Sequence, residues 1–200
     1  MCFKIGRVKI KISFLFFAML TMAFIVDEKQ LVILTLLCSA LHEMGHICAL
    51  FLFGSYPDEI NFGIFGVRIQ QNKYILSELR QAVVVLCGPL VNIILFVLFL
   101  LANLAFKSPI LLMISAVNLV IGGFNLIPIL PLDGGRILLA ALNFFMSEKT
   151  ACKIMRIICA CVLSVLIFSG ILLIIKTGMN ISLLATVIYI SILCIKSIKI

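Results

Sequence analysis

His42, Glu43 and His46 stand in the middle of LVILTLLCSALHEMGHICALFLF, the apolar stretch from Leu31 to Phe53. On a helix, residues four apart share a face one turn apart, so both imidazoles can reach one metal ion. Zinc takes imidazole nitrogens readily, and a catalytic zinc site keeps one position for water. The ion lowers the pKa of that water, and an adjacent Glu43 can accept its proton as it attacks a carbonyl. HExxH on a helix is the known spacing for this chemistry. The competing reading is of two helix histidines satisfied by neighbouring polar groups. Two facts weigh against it. These are the only histidines in the chain, and ionisable groups at membrane depth are costly enough to be functional by default.

Such an ion needs a third protein ligand. Leaving Glu43 aside, the acids are Asp27, Glu28, Asp58, Glu59, Glu78, Asp133 and Glu148. All but Asp133 lie in loops or at the ends of apolar runs. Asp133 follows FNLIPILPL and precedes two glycines, inside an apolar region. A helix N-cap would account for its residue type but not for that placement. Pro128 and Pro131 interrupt a helix there, and Gly134 and Gly135 allow close packing. Non-helical backbone at membrane depth is tolerated where it is buried in protein or lines a wet cavity, and hydrolysis needs water. Asn118, Gly122 and Asn125 share a helix face that could pack on the HEMGH helix. Asn125 is read as an amide donor toward a substrate carbonyl and Asn118 as polar glue between helices. Asn92, in CGPLVN, is a weaker candidate for substrate contact. Glu148 is the third ligand of an alternative enzyme, a membrane zincin with a soluble-side site, but it lies close to a loop.

The elements that must position these residues are membrane helices. The 200 residues are 64% hydrophobic and 12% charged, against about half and a quarter in soluble domains. Mean hydropathy is +1.32, which places the chain among multi-pass membrane proteins. Apolar runs at 12–26, 31–53, 81–106, 108–132, 157–175 and 177–195 predict an all-α fold of six transmembrane helices. The first is short but can extend into IGRVKIK if its lysines snorkel. It imitates a signal peptide but lacks a cleavage site, so an uncleaved span is expected. The fourth is broken near Pro128–Gly135, with a partial helix over 134–147. With both termini cytoplasmic, only Lys29, Lys107 and Lys176 of sixteen basic residues fall outside, as positive-inside bias requires. A seventh crossing at 134–147 would break that alternation. EINFGIFGVRIQQNKYIL, residues 59–76, predicts a short cytoplasmic β-hairpin turning at Gln70–Lys73. One domain over 1–200, with its catalytic core at about 31–147, is expected.

The net charge of +8 sits at the flanks of apolar runs, where it orients helices in a bilayer; nucleic acid is excluded as a partner. None of the eight cysteines forms a CxxC pair, so they are read as reduced, small apolar residues. A metal transporter would show several intramembrane acids along a path, and too few are present. An inactive membrane scaffold is the remaining non-enzyme reading.

HEMGH in one span, GPLVN in the next and NLIPILPLDGG in a third resemble, in that order, the site-2 protease family of intramembrane zinc metalloproteases. The resemblance covers about Leu31 to Arg136. It implies zinc held by His42, His46 and Asp133, Glu43 as the catalytic acid/base, and Asn125 near the substrate. It also implies that the 59–76 hairpin is an edge to which an unfolded substrate segment can add. The substrate would be a membrane-associated protein cut within or near the bilayer, with the site nearer the cytoplasm and inhibitory membrane proteins as further partners. Six spans and no PDZ-sized insertion are most similar to the sporulation stage IV type, which releases a sigma factor. That type usually carries a CBS domain, and this sequence shows none before Ile200.

Overall fold

The computed structural model describes residues 2–5, 8–12, 21, 24–25, 31–56, 59–63, 66–70, 77–130 and 132–177. They form two compact units, Met1–Gly122 and Gly123–Ile200. The first unit contains strands β1 (Cys2–Ile5) and β2 (Val8–Ile12), helix α1 (Leu31–Leu52), strands β3 (Glu59–Gly63) and β4 (Gly66–Gln70), and helix α2 (Glu78–Phe106). It also holds most of α3 (Pro109–Asn125). The second unit holds α4 (Asp133–Phe145) and α5 (Glu148–Thr177).

Three helices are long and apolar enough to cross a membrane among the described residues, at Leu31–Leu52, Glu78–Phe106 and Glu148–Leu172. At 1.5 Å per residue, a 22-residue helix such as α1 measures about 33 Å, just over the roughly 30 Å of bilayer hydrocarbon. The 17-residue α3 falls short at about 26 Å. Six spans are therefore not what the described residues supply. The expected first and sixth spans, 12–26 and 177–195, fall almost wholly outside them. The fifth starts earlier than expected, because Glu148 heads α5 and is no loop residue.

The N-terminal segment departs from the expected extension of a first span. VKIKI forms β2, in a four-stranded sheet ordered β1-β2-β3-β4. Its alternation of Val or Ile with Lys has the two-residue period of a strand, and β-branched residues favour that backbone. β1 pairs antiparallel with β2, with Cys2 opposite Lys11. β2 and β3 run parallel, Lys9 opposite Glu59 and Ile12 opposite Phe62. A parallel pair requires a long crossover, and α1 lies within it. Lys11 Nζ meets Glu59 Oε1 at 2.8 Å across this pair, an exposed ion pair worth about 0.2–1 kcal/mol. β3 and β4 pair antiparallel with Gly63 opposite Gly66. The chain thus reverses between those two glycines, earlier than Gln70–Lys73; residues 71–76 lie outside the described residues.

α1 packs on α2 around Ala49, Leu50 and Val84, flanked by Phe53 and Cys87. α2 ends on Lys107 in a left-handed conformation (φ 49°), whose N–H returns to Asn103 O. Pro109 then opens α3, a position where its missing donor costs nothing. Ser115 Oγ donates to Phe96 O at 3.2 Å, tying α3 to α2.

In the second unit the expected interruption is present. After Asn125 the chain makes short turns, with Ile129 N–H donating to Ile127 O (2.7 Å) and Leu132 N–H to Ile129 O (2.8 Å). Ile129 is fully buried with Met155 and Cys159 of α5. The partial helix expected over 134–147 is α4, which begins one residue earlier and takes Gly134 and Gly135 into its first turn. Gly134 packs on the backbone of Leu126 and Ile127; a Cβ there would collide with both carbonyl groups.

Candidate metal centre

α1 carries His42 and His46 one turn apart, as an apolar helix with histidines at i and i+4 must. His42 is buried and His46 partly buried. Each ring is held at Nδ1. His46 Nδ1 lies 2.9 Å from Val84 O on α2. A carbonyl only accepts, so Nδ1 carries the proton and Nε2 keeps its lone pair. His42 Nδ1 lies 2.7 Å from Asn92 Oδ1. The amide is oriented by its other end, where Nδ2 donates to Cys38 O at 3.4 Å and to Asn118 Oδ1 at 3.0 Å. With oxygen facing His42, that ring also holds its proton on Nδ1.

The consequence is electrostatic. His42 Nε2 and His46 Nε2 face each other at 3.2 Å, and in these tautomers both present lone pairs. Two acceptors at that range repel unless a cation lies between them. A tetrahedral zinc with bonds of about 2.0–2.1 Å holds two ligand nitrogens about 3.3 Å apart. Donation of the second ring nitrogen to a carbonyl or amide oxygen is also the usual support of a metal-ligating histidine. Gly88 supplies the room. A Cβ at that position would run into the His46 ring and approach His42 Nε2 to 2.8 Å. Pro89, next to it inside α2, removes the N–H that would serve the carbonyl of residue 85. The donor set, its tautomers and the space beside it fit a divalent metal with affinity for imidazole.

The remaining residues singled out by sequence fall as follows. Glu43 is partly exposed on α1, adjacent to His42. Asn92 is fully buried against His42; Asn118 is also fully buried, and its Nδ2 reaches Ile114 O and Cys38 Sγ. Asn125 is the last residue of α3 and partly buried. Asp133 is not the N-cap of α4. Leu132 takes that place in an extended conformation, without a side-chain cap, and Asp133 is the first helical residue, 7% exposed. A carboxylate so buried requires compensation by hydrogen bonds or a cation. Glu148 is exposed at the start of α5. Sequence reasoning missed the Val84 carbonyl, which no residue type could reveal, and Gly88 as the wall beside the histidines.

Comparison with known proteins agrees with this chemistry. The model of Peptidase family M50 matches residues 101–169, which include Asp133. A zinc metalloprotease of Methanocaldococcus jannaschii is 36% identical over 134 residues, 62% of this chain and 39% of that protein. A putative peptide zinc metalloprotease protein of Bacillus subtilis is 38% identical over 110 residues, 52% of this chain and 44% of that protein. The matches thus span less than half the length of these curated relatives. The solved structure of a site-2 protease from Methanocaldococcus jannaschii superposes with a TM-score of 0.69 at 28% identity, covering 98% of this chain and 94% of that one. Together with the paired histidines and the apolar helices that carry them, these matches support the site-2 protease family of zinc metalloproteases, peptidase family M50.

Proposed function

We propose that the chain is an intramembrane zinc metalloendopeptidase, acting as one catalytic domain with its core at about 31–147. The observation that carries this reading is the convergence of the two Nε2 atoms, 3.2 Å apart beside Gly88, with an acceptor behind each ring at Nδ1. His42 and His46 hold the ion, and Asp133 completes the ligand set. Asp133 is supported by its burial at the first turn of α4, where the helix dipole favours a carboxylate, and by its place in the LDG element. Zinc bound there supplies a Lewis acid that acidifies water and polarises a peptide carbonyl. Glu43 takes the proton of the attacking water and returns it to the leaving amine. Asn125 donates its amide to the substrate.

The substrate class is a membrane-associated protein cut within or near the bilayer, releasing a transcription factor, sigma factor or other regulator, with sporulation-type processing as one member of the class. The distribution of basic residues supports six crossings, both termini in the cytoplasm and a site nearer that side. Inhibitory membrane proteins are further partners of this class. The β3–β4 pair, placed on the cytoplasmic side, offers an edge for an extended substrate.

The test is Glu43→Gln in the purified full-length protein, reconstituted with membrane-anchored candidate substrates. Cleavage is expected to fall by about 10²–10⁴-fold, the usual contribution of a general base, with bound zinc unchanged. The same variant should retain substrate, so that a membrane-associated protein copurifies with it. Undiminished cleavage by Glu43→Gln would rule the proposal out.

A further inference from the structure

The amides of Asn92 and Asn118 lie behind the histidines, and their orientations form an ordered series. Asn118 Nδ2 donates to Ile114 O at 2.9 Å, and because a carbonyl only accepts, Asn118 Oδ1 must face the other way, toward Asn92. There it accepts from Asn92 Nδ2 at 3.0 Å. Asn92 Nδ2 also approaches Cys38 O at 3.4 Å, a second carbonyl, which can only accept. Asn92 Oδ1 is thereby turned to His42 Nδ1 at 2.7 Å. Both asparagines have zero exposure, so no water competes for these groups.

We infer that Asn92 is a positioning residue, which fixes the Nδ1-protonated tautomer of His42 and so directs the Nε2 lone pair to a metal, and that Asn118 sets the orientation of Asn92. Two backbone carbonyls, of Ile114 and Cys38, are the fixed references from which the direction of the His42 lone pair follows. The tautomer of an imidazole is set by the hydrogen bond its other nitrogen makes, and here every step has one polarity only. This role differs from the substrate contact read for Asn92 from sequence: its oxygen and its nitrogen are already engaged. It also differs from plain adhesion between helices, which would stabilise the protein equally with either end of the amide toward the ring.

The inference rests on the proposed metal site, and the experiment separates the two. The full-length protein in detergent is titrated with zinc against a chromophoric chelator, as wild type, Asn92→Asp, Asn92→Leu and Asn118→Leu. Wild type that binds no zinc would defeat the metal site itself. Given binding by wild type, Asn92→Leu should weaken zinc affinity by about 10–100-fold, the usual loss on removing such a support. Asn92→Asp, which keeps an acceptor at that point, should stay within a few-fold of wild type, and Asn118→Leu should fall between. Affinity unchanged in folded Asn92→Leu overturns the inference. A measurement on wild type alone stands if that variant does not fold. In metal-free protein with ¹⁵N-labelled histidine, the two rings should both show protonated Nδ1 and unprotonated Nε2. A His42 ring protonated at Nε2 overturns the inference as well.

Discussion

At the residue scale, the site depends on where two protons are and where a methyl group is absent. Each histidine spends its Nδ1–H on a partner from α2, the Asn92 amide or the Val84 carbonyl, leaving two nitrogens turned to the same point. Gly88→Ala would put a Cβ against the His46 ring. The variant is expected to keep its helical content by circular dichroism and to lose most of its zinc, read by elemental analysis of the purified protein. The third ligand separates the enzyme readings. Asp133→Ala should lower zinc occupancy to a small fraction of wild type, whereas Glu148→Ala should leave it unchanged; zinc retained in Asp133→Ala would favour a different ligand set. His42, Glu43, His46 and Asp133 stand out in the sequence as candidates because ionisable residues are rare in its apolar runs and each must have a reason to be there. The carbonyl of Val84 and the packing of Gly88 do not, since backbone groups and missing side chains leave no chemical signature along a chain.

At the scale of elements, hydropathy located α1 and α2 closely and the apolar part of α5, because length and apolar content are nearly sufficient to specify a membrane helix. It did worse where two periodicities compete. VKIKI reads as the lysine-flanked start of a span or as a strand with alternating faces, and the structure takes the strand. The interruption after α3 was legible from Pro128, and the partial helix beyond it from the apolar run over 134–147. The glycines belong to α4, where they admit backbone contact with the interruption. Gly134→Ala should therefore destabilise the protein, by about 1–3 kcal/mol if the surrounding backbone shifts to accept the Cβ. Thermal unfolding in detergent measures this, and a melting temperature equal to wild type would show that the contact with Leu126 and Ile127 is not tight.

At the scale of the whole molecule, the composition requires a membrane and the helices provide for one. Large apolar side chains exposed along α1, α2 and α5, among them Leu37, Leu98 and Val165, are what lipid would cover. Placing a histidine pair in such surroundings gives hydrolysis a setting from which bulk water is largely excluded. There, a cation bound by imidazole nitrogens replaces the water that buried polar groups have lost. The proposed activity stands on that cation. Zinc-edge X-ray absorption of the full-length protein purified from membranes reads its ligands directly. The expected first shell is nitrogen and oxygen at about 2.0–2.1 Å with imidazole scattering, and no sulfur near 2.3 Å. The imidazole signal, and the zinc with it, should vanish in the His42→Ala, His46→Ala double variant. A sulfur shell, or zinc bound as firmly without the two histidines, would contradict the account.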